Sequence, residues 1–188
     1  MVTPPPIDPE LAGYLAQYTA GWQGDATWAG GAMRLRVTAY ASDYLPPLRY
    51  VTSVRGVVFR GDDVLVLTNQ HTAHHVVPGG RREEGETPTQ TLAREVLEEA
   101  GWVIAPDPKL AAVTHLRHLT PKPPDYRFLY PDFLWTIYAA EAIEHQPAAR
   151  LTDDYEQAAT FRPIVEAFDM GLSEENLFYL RSALSRRR

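Results

Sequence analysis

The chain has 188 residues, 45% hydrophobic and 22% charged, with a formal net charge of -6. One sizeable core can be built from that supply, and the acidic balance weighs against a general nucleic-acid binder. There is no cysteine, which excludes disulfides, thiolate zinc sites and a cysteine nucleophile.

Taken in chain order, Met1-Val2-Thr3-Pro4-Pro5-Pro6 lacks the basic-then-apolar pattern of a signal peptide, and no later apolar run reaches the length of a membrane span. The expected compartment is therefore cytoplasmic, with no membrane partner. Asp8 followed by Pro9 predicts a helix start, with Leu11, Tyr14, Leu15 and Tyr18 at helical spacing. From Gly21 to Gly31 glycine and tryptophan mix without a regular period, whereas Met33 to Ala41 alternates as a strand does until Leu45-Pro46-Pro47. Tyr50 to Phe59, the turn Gly61-Asp62-Asp63 and Val64 to Thr68 form a hairpin signature. Trp102 to Ala105, Leu110 to Leu116 and Phe133 to Ala140 read as further strands. Ser173 then caps a closing helix carrying Leu177, Leu180 and Leu184 on one face. The Arg186-Arg187-Arg188 tail reads as solvated. Strands and helices mix in an α+β pattern.

The most informative stretch is GRREEGETPTQTLAREVLEEAGW, Gly80 to Trp102. Thr87, Pro88 and Gln90 satisfy a capping box with proline at the first helical position, so a helix starts near Pro88. Leu92, Val96 and Ala100 give it an apolar stripe, and Gly101 can close it in the left-handed conformation. On that helix Glu95, Glu98 and Glu99 are three and four residues apart and share one surface patch. Carboxylates at that spacing repel unless a cation, or a partner such as Arg94, neutralises them. Oxygen ligands without thiols or paired histidines favour Mg2+ or Mn2+, ions that share their shell with water and substrate phosphates. The preceding loop, Val77 to Glu86, contains three glycines that allow sharp turns and close backbone approach.

With Gly80, then Glu86, then Arg94-Glu95, Val96, Glu98-Glu99, Gly101 and Trp102 all in place, the stretch resembles the signature box of the Nudix hydrolases. The resemblance implies an α/β/α sandwich around a mixed β-sheet, with residues 50-188 as the hydrolase domain. Residues 1-49 would then be an N-terminal extension of helix plus strand, covering a sheet edge or serving a homodimer. It implies an enzyme that cleaves a diphosphate bond by water attack on phosphorus, acting on a nucleoside diphosphate derivative or a nucleoside triphosphate. By the same resemblance Glu95, Glu98, Glu99 and the Gly79 carbonyl bind the metal. Gly80, Glu86, Arg94 and Gly101 would shape the box, with Glu86 and Arg94 holding loop to helix. The isopentenyl diphosphate isomerases of this fold use a catalytic cysteine, which this chain lacks. A non-catalytic nucleotide-binding module with the same fold is the alternative.

A general base is taken either from the box or from Glu156, in Asp153-Asp154-Tyr155-Glu156, which otherwise reads as a solvated acidic loop. The segment His115 to Arg127 reads as a long basic loop, in which Arg117, Lys122, Arg127 and Tyr126 are candidate contacts to phosphate or base. His71, His74 and His75 form a surface patch rather than a zinc site. Sub-family marks for coenzyme A, NADH and ADP-ribose substrates are missing, so the expected partner is a small nucleotide of unspecified kind.

Overall fold

The computed structural model describes residues 4–122, 124–151 and 156–187. Helix α1 (Pro9–Leu15) starts where Asp8 Oδ1 accepts the Glu10 amide at 2.9 Å, and it buries Leu11, Tyr14 and Leu15. Two strands follow, β1 (Ala20–Trp28) and β2 (Met33–Ala41), paired antiparallel. The stretch expected to be irregular is thus mostly strand. Its period of two is carried by Trp22, Gly24, Ala26 and Trp28, all part-buried between exposed neighbours. Glycine at 24 hides that alternation for a physical reason: a Cβ there would come within 2.7 Å of the Trp22 ring.

Strand β3 (Val51–Arg60) turns through residues 61–62 into β4 (Asp63–Asn69). Short strands β5 (His74–His75) and β6 (Gly79–Arg81) pair with β4 and β3. Helix α2 (Pro88–Ala100) leads to β7 (Trp102–Ile104), β8 (Lys109–His118) and the long β9 (Asp132–His145). Last come β10 (Glu156–Pro163), α3 (Ile164–Ala167) and α4 (Glu174–Arg186). Among the described residues the main sheet runs β1-β2-β8-β9-β3-β4-β10, and its β3–β9 pair is parallel while the others are antiparallel.

Alternation along the central strands sends side chains to two cores. Val54, Val58, Leu65, Leu67, Leu134 and Tyr138 meet α1 and α2 on one face. Val57, Phe59, Val64, Val66, Ile137 and Ala139 meet α4 on the other. Helices on both faces of a mixed sheet make an α/β/α sandwich of the α+β class.

Three local expectations change. Glu156, whose alternative reading is a solvated acidic loop, opens an edge strand on β4 over residues 156–163, in which Ala159 and Phe161 have apolar surface to bury against the α2 face. Residues His115 to His118 belong to β8, so the loop begins later. The basic tail is not merely solvated: Arg186 pairs with Asp43 at 3.2 Å, and Arg187 binds Glu141 at 2.5 Å and the Gly61 carbonyl. No helix among the described residues is long and apolar enough to cross a membrane.

The position of α2 depends on Leu92, fully buried against β3. Leu92→Ala is expected to cost about 2–5 kcal/mol of unfolding free energy, read from urea denaturation. A loss below about 1 kcal/mol would contradict this packing.

Candidate active site

Helix α2 begins with a complete capping box: the Gln90 amide donates to Thr87 Oγ1 at 3.3 Å, and the Thr87 amide donates to Gln90 Oε1 at 2.8 Å. At the other end Gly101 (φ 71°) donates its amide to the Leu97 carbonyl at 2.9 Å. Leu92, Val96 and Ala100 face the sheet and are buried, which leaves Glu95, Glu98 and Glu99 on the flank beside β6.

Strand β6 is laid onto β3 with Gly80 opposite Val54 and Gly79 opposite Arg55. Ser53 Oγ donates to the Gly80 carbonyl at 2.6 Å, and the Gly79 amide donates to Glu99 Oε2 at 2.8 Å. Both glycines are demanded by their surroundings. Gly79 has φ 140°, and a Cβ on it would lie 2.6 Å from the Arg55 Cα; a Cβ on Gly80 would lie 2.6 Å from the Glu95 carboxyl carbon. The helix carboxylates therefore sit directly against the strand backbone.

One guanidinium orders the rest. Arg94 donates to Glu86 from Nε (2.8 Å) and Nη2 (3.1 Å), to Glu95 Oε1 (2.8 Å) and Glu98 Oε2 (3.1 Å) from Nη1, and to the Arg81 carbonyl (3.1 Å). Glu86 in turn accepts the Thr91 hydroxyl (2.7 Å) and the Glu83 amide (3.1 Å). The Arg94 hydrogen bonds pull the Glu86 carboxyl down to about 2, outweighing its burial, while Glu86 raises Arg94. Burial raises Glu95, with the Arg94 hydrogen bond opposing it. Among the described residues no three or more His, Cys, Asp or Glu side chains close into a ready-made metal cage: Glu98 turns to Arg94, Glu99 to the Gly79 amide. The donor set is nonetheless all hard oxygen, three carboxylates beside backbone carbonyls, which suits a small divalent cation.

A cavity of about 530 Å³ opens beside Gly80 and Arg81. Trp28, Trp135, Phe133, Tyr126, Phe128 and Arg55 are among its lining, and the Trp28 and Trp135 rings stack, 5.8 Å between centroids and 13° apart. Of the loop residues singled out from sequence, Tyr126 lines this cavity. Arg117 does not: its guanidinium binds both Asp132 oxygens at 2.8 and 2.7 Å and the Pro5 carbonyl at 2.5 Å. Lys122 and Arg127 are exposed and outside the lining. Glu156 opens β10 opposite Asn69; its side chain, with residues 152–155, lies outside the described residues. His74 Nδ1 is 3.0 Å from Thr68 Oγ1, an ordinary strand contact.

Sequence reasoning overlooked Trp28, Trp135 and Arg55. The first ended a strand whose period was hidden, the second sat within an apolar run, and a lone arginine carries no spacing rule. A signal existed only for Trp28, at two-residue intervals from Trp22 and Ala26.

The NUDIX domain model matches residues 49–178. The chain belongs to the Nudix family. It is 39% identical over 89 residues to the NAD-capped RNA hydrolase NudC of Escherichia coli O157:H7, covering 45% of this chain and 29% of that protein. The chain spans about a third of the length of the curated relatives it matches. Its fold is similar to that of a Nudix hydrolase from Nitrosomonas europaea (TM-score 0.55, 20% identity, covering 73% of this chain and 91% of that one). It is also similar to the Nudix domain of Shewanella oneidensis NrtR, solved with ADP ribose (TM-score 0.53, 18% identity, 73% and 88%).

Because the folded Glu86 value of about 2 lies below the ordinary 4.5, its contribution to stability is complete above about pH 4.5 and is lost as pH falls toward 2. Glu86→Gln is expected to be less stable than the parent at pH 6 and to show a shallower loss of Tm between pH 4.5 and 2. Parallel Tm profiles for the two proteins would refute the ion pair's role.

Proposed function

We propose that the chain is a divalent-metal-dependent pyrophosphohydrolase that cleaves the diphosphate of a nucleoside diphosphate derivative, releasing a nucleoside monophosphate and a second phosphorylated product. The observation that carries this is the carboxylate flank of α2, pressed against Gly79 and Gly80 at the mouth of an aromatic cavity. Diphosphate chemistry and base recognition thus have adjoining places.

Glu95, Glu98 and Glu99 would hold magnesium or manganese with the Gly79 carbonyl. When bound, such an ion offsets charge on the phosphoryl oxygens and lowers the pKa of an attacking water. The chain's own residues do the rest. The Gly79 amide fixes Glu99, and Arg94 fixes Glu95 and Glu98 while tying the loop through Glu86. A carboxylate takes the water's proton as the water oxygen bonds to phosphorus, and the bridging P–O bond breaks with its electron pair leaving on the second phosphate. Two groups can receive that proton: a carboxylate of the box, and Glu156 at the head of β10. No covalent enzyme intermediate is needed.

The relative named for capped RNA and the Nudix domain solved with ADP ribose both support a substrate with a nucleoside diphosphate joined to a further group. A nucleoside triphosphate, which would release diphosphate, is the simpler variant of the same chemistry. A non-catalytic nucleotide-binding module is the second reading, favoured by one observation: Arg94 occupies oxygens of both Glu95 and Glu98.

Product release from ADP-ribose, NADH, dinucleoside polyphosphates, nucleotide sugars, nucleoside triphosphates and a NAD-capped oligonucleotide, each with Mg2+, Mn2+ and EDTA, separates these. Metal-dependent cleavage is expected, and Glu98→Gln and Glu99→Gln should each lower it by at least about 10–100-fold with the fold intact. Full turnover in both variants would rule out this site; no cleavage of any substrate by folded, metal-loaded protein would favour the binding module.

A further inference from the structure

Elsewhere in the molecule arginines commonly face carboxylates: Arg36 with Asp25, Arg60 with Asp63, Arg117 with Asp132, Arg187 with Glu141. The aromatic cavity departs from that pattern. Arg55 and Arg81 line it, and neither has a carboxylate in ion-pair range among the described residues. Arg55 lies over the Trp135 ring (4.6 Å) and Arg81 over the Phe128 ring (3.9 Å). Arg55 donates one hydrogen bond, from Nη1 to the Val77 carbonyl at 3.3 Å, and its Nε is buried without a partner. No Asp or Glu is among the described lining. In a protein of net charge -6, this is a local surplus of positive charge beside flat apolar walls. At the rim Phe128 and Leu129 keep 49% and 39% of their surface exposed, and a volume of about 530 Å³ is in the range of small-ligand sites.

One wall comes from outside the family domain. Trp28 and Met33 border the β1–β2 turn, ahead of the matched residues 49–178. Trp28 is held there by packing on Phe133 (6.1 Å) and Trp135, and β2 pins the hairpin to β8 over seven residue pairs from Leu35↔His118 to Ala41↔Ala112.

We propose that this N-terminal hairpin is a specificity element: through Trp28 it completes a pocket for an aromatic base whose phosphate is received by Arg55. Arg55 stands opposite Gly79 on the neighbouring strand and its guanidinium lies 4.6 Å from the Trp135 ring centroid, so a phosphate received there would adjoin the Gly79 strand with its base beside the tryptophan wall. An aromatic ring without the anion leaves Arg55 unpaired, and an anion without the ring leaves the walls wet; the ligand class is a nucleotide, not a sugar phosphate or inorganic diphosphate. This rests on the hydrolase reading only for where the scissile diphosphate lies.

The test is binding in EDTA, where no turnover is needed, followed by tryptophan fluorescence, since two of the four tryptophans form the wall. The probes are AMP, GMP, CMP and UMP, their nucleosides, and ribose 5-phosphate. At least one monophosphate is expected to bind about tenfold or more tightly than both its nucleoside and ribose 5-phosphate. Arg55→Met should reduce that affinity to the nucleoside's, with partial recovery in Arg55→Lys. Trp28→Leu should reduce it to that of ribose 5-phosphate, with recovery in Trp28→Phe. The unmutated protein gives a second readout, the indole N–H resonances, in which Trp28 and Trp135 should shift on titration. Shifts confined to Trp22 or Trp102, no ring-dependent gain for any monophosphate, or unaltered affinity in folded Trp28→Leu would each overturn the proposal. Lost hydrolysis with this binding intact would count against the catalytic reading alone, and intact hydrolysis without it would count against the hairpin alone.

Discussion

Three carboxylates on one flank of a helix repel each other, and the site exists because a single guanidinium holds two of them and the loop that faces them. Arg94 reaches Glu86, Glu95 and Glu98 at 2.8–3.1 Å and also the Arg81 carbonyl. Lysine could not substitute, because a point charge with rotatable donors cannot present the planar fork that spans Glu86. Two carboxylates sharing this cation shift in opposite directions: the Arg94 hydrogen bonds pull Glu86 down to about 2, whereas burial raises Glu95 against the opposing Arg94 hydrogen bond. Glu86 anchors the loop, while Arg94 holds Glu95 on the flank of the helix.

That arrangement depends on backbone proximity that side chains would forbid. Gly79 and Gly80 let β6 lie between β3 and α2, where the Gly79 amide takes Glu99 and the Glu95 carboxyl fills the space a Cβ on Gly80 would need. The sheet fixes β3, β3 fixes β6, and Leu92 fixes α2 on the same face. The chemistry is therefore set by packing several residues away, and the Glu86–Thr91–Glu83 contacts close the loop locally.

The helix, its cap and its carboxylates were legible in the sequence because each is a local property: Thr87-Pro88-Gln90 fixes the start, and the spacing of Glu95, Glu98 and Glu99 fixes the face. The hairpin, the central apolar strands and the closing helix follow from period alone. What escaped is what depends on distant partners. Strand β1 has its alternation masked by a glycine that exists to make room for Trp22. Glu156 reads as part of an acidic loop until β4 offers its strand an edge. Arg117 looks like a phosphate contact, yet Asp132, fifteen residues on, takes its charge, and Arg55 looks like any arginine until it is seen over the Trp135 ring with no carboxylate in ion-pair range among the described residues.

The central claim, that the α2 flank is a divalent-cation site organised by Arg94, is tested most directly by electron paramagnetic resonance of Mn2+ titrated into the protein without substrate. One saturable site is expected in the parent, weakened by at least about 10–100-fold in both Glu98→Gln and Glu99→Gln while circular dichroism stays native. Equal Mn2+ binding in parent and variants would place the cation elsewhere and contradict the account.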